Sequence, residues 1–443
     1  MAQTVIRGSQ ILNNTVQRQD MDTATVGQAV VTKLVQGSGI TLSSTGADSG
    51  TGDVTVSSPD AVSTDAGNIA TLGSDNHILV PQSQIWDVRL RSFNTVGNPN
   101  FGVTQRNIGG SLTNPNGFIE DRWSGAKTGT LTYTAQVVNA GFAGIILPGT
   151  NFTIAKNYLR VTLTGQQASL AAGDFLQLYT VIEGARLLEL VNDVHSLSLL
   201  VRSSVAGLSF GAALSDSGPV TKSLTKLCTL GAVANTWTLI TLPNLPIFPS
   251  AGNFSTAPGQ LGYYLTIALA VGSTNTSPAN NTWQNGNFIG AVGQSNFAAS
   301  PVNSTFDIVF VQHEPSAQCS TPIDCPFTQN YDQCLRYFYK TFDYDVAIGT
   351  ASANSPLSLS QISTTEVSGP VRFSKAMAKI PTCTAYNGST GAANSIRLGG
   401  ANYAVSSFDN VGKGGFFGII TAAMPAVALG AFGWCHYTAD TGW

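Results

Sequence analysis

A chain of 443 residues with 43% hydrophobic content has the material for two or three cored domains, which excludes a disordered polymer. Only 10% of its residues are charged, against roughly 25% in an ordinary soluble domain, and Gly, Ser, Thr, Asn and Gln take their place. Twenty-one basic residues against twenty-four acidic ones give a net charge of -3 with no Lys/Arg run, so a protein that tracks nucleic-acid phosphates is excluded.

The chain opens on Gly8 to Ser57, which holds scattered apolar residues such as Ile11, Val16, Val26, Leu34, Ile40, Val54 and Val56. They are too few to offset the entropy of ordering that length of backbone, so order is expected from neighbouring chains or a docking partner. Val16, Thr23, Val26, Val30 and Leu34 approximate a three-and-four spacing that admits a short helix within residues 10 to 36, with Gly27 against it. Met1 to Asn14 has neither a basic start nor an apolar run, so no secretory leader is expected. Residues 59 to 90 read as a connector, with Ser57-Ser58-Pro59-Asp60, Gly67-Asn68 and Gly73-Ser74-Asp75-Asn76 as turn signals.

From about Leu90 the apolar period is two. Phe175, Gln177, Tyr179 and Val181 share one face of a candidate strand, and each such strand is expected to bury one face. Leu197, Leu199 and Val201, then Trp237, Leu239 and Thr241, then Leu265, Ile267 and Leu269, then Phe306, Ile308 and Phe310 repeat the pattern. Turn-rich intervals separate them and no amphipathic helices intervene to make parallel crossovers, so the fold class is all-β: an antiparallel, jelly-roll-like sandwich over 91–343. One helix is predicted over Thr328 to Lys340, where Phe327, Tyr331, Cys334, Leu335 and Phe338 fall on one side. Strands resume from Tyr344, giving a smaller C-terminal β-domain over 344–443. The weakly apolar run Phe416 to Trp434 is interrupted by Gly418, Pro425, Gly430 and Gly433 and reads as buried strands, being short of the roughly 20 apolar residues of a membrane helix.

Candidate chemistry is sparse. Four histidines, His77, His195, His313 and His436, fall in no nucleophile, base or metal motif, and a lone strand histidine such as His313 reads as a structural hydrogen-bonding residue. Six cysteines, including Cys319, Cys325 and Cys334 after His313, match no compact zinc spacing and read as buried thiols. The carboxylate pairs Glu120-Asp121 and Asp343-Asp345 have the residue types for glycoside hydrolysis, but sequence does not give their separation. No catalytic residue, metal or cofactor is assigned. The turn-rich interval around 280–297 sets Trp283, Phe288 and Phe297 among Asn285, Asn287 and other amides. Aromatic faces and fans of amide hydrogen bonds are what sugars bind, so Trp283, Asn285, Asn287 and Phe288 are candidate carbohydrate contacts. The competing reading is that these aromatics anchor a long loop to the core.

Several stretches point to a family. Ile6-Arg7-Gly8-Ser9-Gln10-Ile11, Ser38-Gly39-Ile40-Thr41-Leu42 and Gly50-Thr51-Gly52-Asp53-Val54-Thr55-Val56 resemble the virion-attachment segments of tailed-bacteriophage tail fibres and receptor-binding proteins. Asn98-Pro99-Asn100-Phe101, Asp121-Arg122-Trp123, Tyr158-Leu159-Arg160-Val161 and Phe306 through Glu314 resemble the carbohydrate-binding-like jelly roll of such proteins. Pro381-Thr382-Cys383 and His436-Tyr437-Thr438-Ala439-Asp440 are similar to the β-domain that follows it, although the ending Thr441-Gly442-Trp443 departs from that pattern. The resemblance implies a non-enzymatic structural protein of the virion, assembled in the host cytoplasm as a homotrimer. Residues 1–58 would dock to other virion proteins through Ile6, Arg7, Gly8, Ile11, Val54 and Val56, and the β-domains would bind host-surface glycan. Two alternatives stay open: a capsule depolymerase tailspike, and a head fibre or decoration protein without a receptor.

Overall fold

A computed structural model of the protein describes residues 41–44, 54–57, 71–72, 78–79, 94–322, 324–424 and 431–443. The chain divides into two units, Met1–Asp87 and Val88–Trp443. In the first, Thr41–Ser44 pairs antiparallel with Val54–Ser57, Leu42 opposite Val56 and Ser44 opposite Val54. A shorter hairpin joins Thr71–Leu72 to Ile78–Leu79. The two strand-forming patches of the attachment-like sequence therefore pair with each other across the glycine-rich stretch between them. The candidate helix within 10–36 and the attachment residues Ile6, Arg7, Gly8 and Ile11 lie outside the described residues.

The second unit is all-β, and every strand ladder among its described residues is antiparallel. Two sheets face each other. The six-stranded one runs Thr238–Leu245, His195–Ser203, Thr305–Glu314, Asn157–Gly165, Thr132–Asn139, Leu112–Thr113. The seven-stranded one runs Trp283–Asn285, Lys222–Thr229, Ser209–Ser215, Leu261–Val271, Phe175–Glu183, Trp123–Lys127, Gly117–Glu120. Between them lies one continuous apolar core containing Trp123, Tyr133, Leu159, Leu178, Leu199, Phe210, Ile267 and Phe306.

Alternation assigns each strand's faces, and bulges reset it. In Thr305–Glu314, Phe306 and Ile308 point into the core as expected, but a register shift opposite Leu200–Val201 moves Phe310 to the outer side with Leu200 and Val309. There they pack with Tyr158, Trp237, Leu239 and the hairpin Ile145–Ile146 with Thr153–Ala155, which covers that outer face. The face of Phe175, Gln177, Tyr179 and Val181 is not the core face: Leu176, Leu178 and Ile182 face inward. Both sets are apolar enough to be buried, and the choice is made by the paired strand, where Leu265 and Ile267 point inward opposite Thr180 and Leu178.

The predicted helix is shorter than the sequence spacing implied. It spans Phe327–Cys334, and Phe338–Lys340 is instead a strand paired with Phe432–Asp440. Phe338 and Lys340 are buried with Tyr339 half-buried between them, the alternation of a strand, while Phe338 by itself also fits the helical spacing, four residues after Cys334. Phe338–Lys340 opens the C-terminal sheet. There Phe432–Asp440 pairs with Leu357–Gln361, which leads through Glu366–Arg372, Gly415–Thr421 and Ala401–Asp409 to Ser395–Leu398, itself paired back onto Phe432–Asp440. The ring closes around a second core of Leu359, Val367, Ile396, Phe416, Ile419, Met424 and Tyr437. No helix among the described residues is long and apolar enough to cross a membrane.

Two buried polar assemblies pin these layers. The Asp307 carboxylate, 1% exposed, accepts from Arg160 Nε at 2.8 Å and Arg202 Nε at 2.7 Å, tying three adjacent strands. Inside the sandwich, His313 Nε2 lies 2.8 Å from His195 Nδ1, and His313 Nδ1 lies 2.6 Å from the Tyr263 hydroxyl. His195 Nε2 lies 3.0 Å from the Pro246 carbonyl oxygen, which only accepts. That contact fixes the tautomers: His195 donates from Nε2, His313 donates from Nε2 to His195, and Tyr263 donates to His313 Nδ1. Both rings are neutral, His195 pushed down to about 4 by burial and His313 held well below its ordinary value by burial and then by His195.

An unfolded chain takes up protons near the ordinary value of 6.5 that native His195 refuses until about 4. Stability is therefore greatest, as far as this group goes, above pH 6.5 and declines as pH falls toward 4, by about 3 kcal/mol for His195 alone. Urea unfolding at stepped pH checks this. Tyr263→Phe, which removes the 2.6 Å bond to His313 Nδ1 and leaves that nitrogen only the longer 3.3 Å contact with Thr95 Oγ1, is expected to cost about 1–3 kcal/mol in the same assay.

Candidate functional site

The six-stranded sheet has its outer face covered by the 145–155 hairpin, whereas the outer face of the seven-stranded sheet carries a cleft of about 430 Å³. Its floor comes from the four adjacent strands Ser209–Ser215, Leu261–Val271, Phe175–Glu183 and Trp123–Lys127. Register sets Tyr179 opposite Thr266, Val181 opposite Tyr264, Ser215 opposite Tyr264, and Gln177 opposite Ala126. The Tyr179 and Tyr264 rings stand edge to face, their centroids 6.1 Å apart at 69°. Burial, and then Tyr179, pushes the Tyr264 hydroxyl above its ordinary range, so it stays protonated and can both donate and accept.

The rim is built from turns held by side chains. The Asp216 carboxylate accepts from Thr221 N at 2.8 Å, Thr221 Oγ1 at 2.6 Å and Asn253 N at 2.7 Å, which holds the Gly218–Val220 turn beside the floor. Opposite, Gly286 N donates to Thr221 O, Phe288 N to Ser223 Oγ and Ile289 N to Asn275 O, so Asn275, Asn287 and Ile289 line the cleft. The far end is closed by Trp443, 9% exposed and packed with Val181, Tyr337 and Ala378. Thr441 donates from both N and Oγ1 to the Tyr337 carbonyl, which fixes the approach to that ring. Gln177 Oε1 is buried in this setting without a hydrogen-bond partner among the described residues. A buried amide oxygen left unpaired is costly in a folded chain.

Of the four candidate carbohydrate contacts, Asn287 lines the cleft. Trp283 is held elsewhere: its ring packs 5.4 Å from Phe248 and 5.5 Å from Phe254, and Nε1 donates to the Pro246 and Ile247 carbonyls. Asn285 accepts from Lys222 Nζ across the edge-strand pairing, and the Phe288 ring sits against Gly286. Phe297 is wholly buried in the core. Trp283 belongs to a short strand, Trp283–Asn285, that completes the seven-stranded sheet within what the sequence presents as a turn-rich interval.

The carboxylate pairs are placed as follows. Glu120 accepts from Asn107 N at 3.1 Å and Gly109 N at 2.7 Å, and Asp121 from Gln105 N at 2.7 Å, so this pair holds the 105–109 loop. Burial and the neighbouring Asp121 push Glu120 up to about 8. Asp343 and Asp345 are exposed, and none of these four carboxylates lines the cleft. All six cysteines are free thiols, with Cys319 Sγ donating to Leu197 O at 3.4 Å. Among the described residues no group of three or more His, Cys, Asp or Glu could hold a metal ion.

Neither a family model nor a curated protein matches the sequence. Solved structures give weak likenesses over about half the chain. The family 11 carbohydrate-binding module of the cellulosomal cellulase Lic26A-Cel5E of Clostridium thermocellum is 11% identical, covering 47% of this chain and 94% of that one at a TM-score of 0.24. TmCBM61, solved with β-1,4-galactotriose, is 9% identical, covering 50% of this chain and 97% of its own at 0.25. The enzymatically active domain of bacteriophage CBA120 tailspike protein 4 is 12% identical, covering 50% of this chain and 21% of that one at 0.25. At such TM-scores these likenesses carry no weight, and the cleft stands on its own geometry.

Trp283 makes its contacts within the fold, so Trp283→Ala is expected to lower stability by about 2–3 kcal/mol in urea unfolding. Trp283→Phe, which keeps most of the ring contacts, should cost about half as much in that measurement.

Proposed function

We propose that the protein binds glycan in the cleft on its seven-stranded sheet, and does so without cleaving it. The observation that carries the reading is the combination of two partly exposed tyrosine rings with polar side chains on one concave floor. A sugar ring offers an apolar C–H face to an aromatic ring and hydroxyls to amides at its rim. Tyr179 and Tyr264 supply the first surface; Gln177, Thr266, Asn275, Asn287 and Ser215 supply the second. No Asp or Glu lines the cleft among the described residues, and glycoside hydrolysis by the common route needs two. That favours a binding site over the depolymerase alternative.

In the same reading the protein is a structural appendage of a tailed-phage virion, a tail fibre or related fibre, that carries this site to the host surface. It is assembled in the host cytoplasm and works as a homotrimer attached to other virion proteins through residues 1–58. The support is the resemblance of the 6–11, 38–42 and 50–56 stretches to attachment segments and the poverty of core-forming residues across Gly8 to Ser57. Three copies on one particle would raise avidity for a weakly held glycan by effective concentration alone.

A microbial glycan array probed with the full chain tests the binding half. Binding is expected to at least one polysaccharide and to weaken about tenfold or more in Tyr179→Ala, Tyr264→Ala and Gln177→Leu. Absence of binding, binding indifferent to all three substitutions, or release of new reducing ends from the bound polysaccharide would contradict the proposal.

A further inference from the structure

A second cleft, of about 650 Å³, lies beside the first and shares Gly442 with it. It is lined by the hydroxyls of Thr382, Thr384 and Thr438, by Tyr386, and by three charged groups, Arg106, Asp440 and Lys379. Two of those charges cancel. Arg106 lies between the Phe118 and Phe338 rings, 3.6 and 4.2 Å from their centroids, and grips Asp440 through both terminal nitrogens. Lys379 makes no ion pair among the described residues. Its Nζ instead stands 4.6 Å from the centroid of the Trp443 ring, and Trp443 closes the far end of the tyrosine cleft. The backbone that carries it is pinned on two sides, Met377 N donating to Lys413 O and Ala378 N to Arg336 O, both at 2.8 Å.

An ammonium stacked on a ring, with the neighbouring Asp440 carboxylate already gripped by Arg106, attracts an anion. The position, one aromatic ring away from the glycan cleft, makes that anion a substituent on the same ligand. We propose that the two clefts form one surface running over Gly442 and Trp443, and that its ligand is an acidic oligosaccharide whose sugar carboxylate is held by Lys379. The threonine hydroxyls and Tyr386 would receive the remainder of the carboxylated residue, and the neutral residues would lie on Tyr179 and Tyr264.

This rests on the glycan-binding reading above, and the test separates the two. The full chain is titrated calorimetrically with polygalacturonate, alginate, hyaluronan and dextran sulfate, with the carboxyl-reduced forms of the first three, and with the neutral polysaccharides of the array. The expected result is preference for at least one carboxylated polymer over its reduced form. Lys379→Met should lose that preference, weakening the acidic ligand about tenfold while holding the reduced form as the wild type does, and Lys379→Arg should keep it. Preference for neutral polymers, preference for dextran sulfate, or unchanged acidic binding by Lys379→Met would overturn the acidic-ligand assignment and leave the tyrosine cleft in place. Failure to bind any polymer would remove both. Melting curves show whether a weakened variant is folded.

Discussion

Two neighbouring tyrosines on one central strand govern the molecule. In Leu261–Val271, Tyr263 points between the sheets, where its hydroxyl donates to His313, and Tyr264 points outward to form the cleft floor. The pleat of a strand sends successive side chains to opposite faces, so the one cannot move without the other. A register slip of one residue would put a hydroxyl with no partner in the core and an apolar residue in the cleft. The His313–His195 pair, locked to one tautomer by the Pro246 carbonyl, is thus a register pin as well as a core element.

The same pin reaches the aromatic group around Trp283. His195 stacks on Phe248 at 4.8 Å, Phe248 packs on Trp283, and the indole donates to the carbonyl that His195 also uses. Core, edge strand and cleft rim are connected through that one carbonyl. The covered outer face of the six-stranded sheet and the open outer face of the seven-stranded one then decide where a ligand can lie.

Much of the fold was legible in the sequence. Period-two alternation without intervening amphipathic helices marks an antiparallel all-β molecule, and the inward faces of His195–Ser203 and Leu261–Val271 follow from it. What alternation cannot supply is which face goes inward when both are apolar, as in Phe175–Glu183, or where a bulge reverses the faces, as at Phe310. Phe338–Lys340 misleads because Phe338 fits the helical spacing from Cys334 as well as a strand, and only the partner strand Phe432–Asp440 decides. The site was less legible still. Asn287 was within reach because amides and aromatics cluster around it, but Tyr264 is hidden in a continuous apolar run and Lys379 stands alone in sequence. Trp283 carries the composition of a sugar site and the contacts of an anchor.

The most direct measurement is an NMR titration of the protein, labelled at its tyrosine rings, with the polysaccharide fragment it binds most tightly. The Tyr179 and Tyr264 ring signals are expected to shift together and saturably while that of Tyr263, one residue from Tyr264 on the same strand, does not. Shifts confined to other tyrosines, or a Tyr263 signal that moves as far as that of Tyr264, would contradict the assignment of the seven-stranded sheet's outer face as the binding surface.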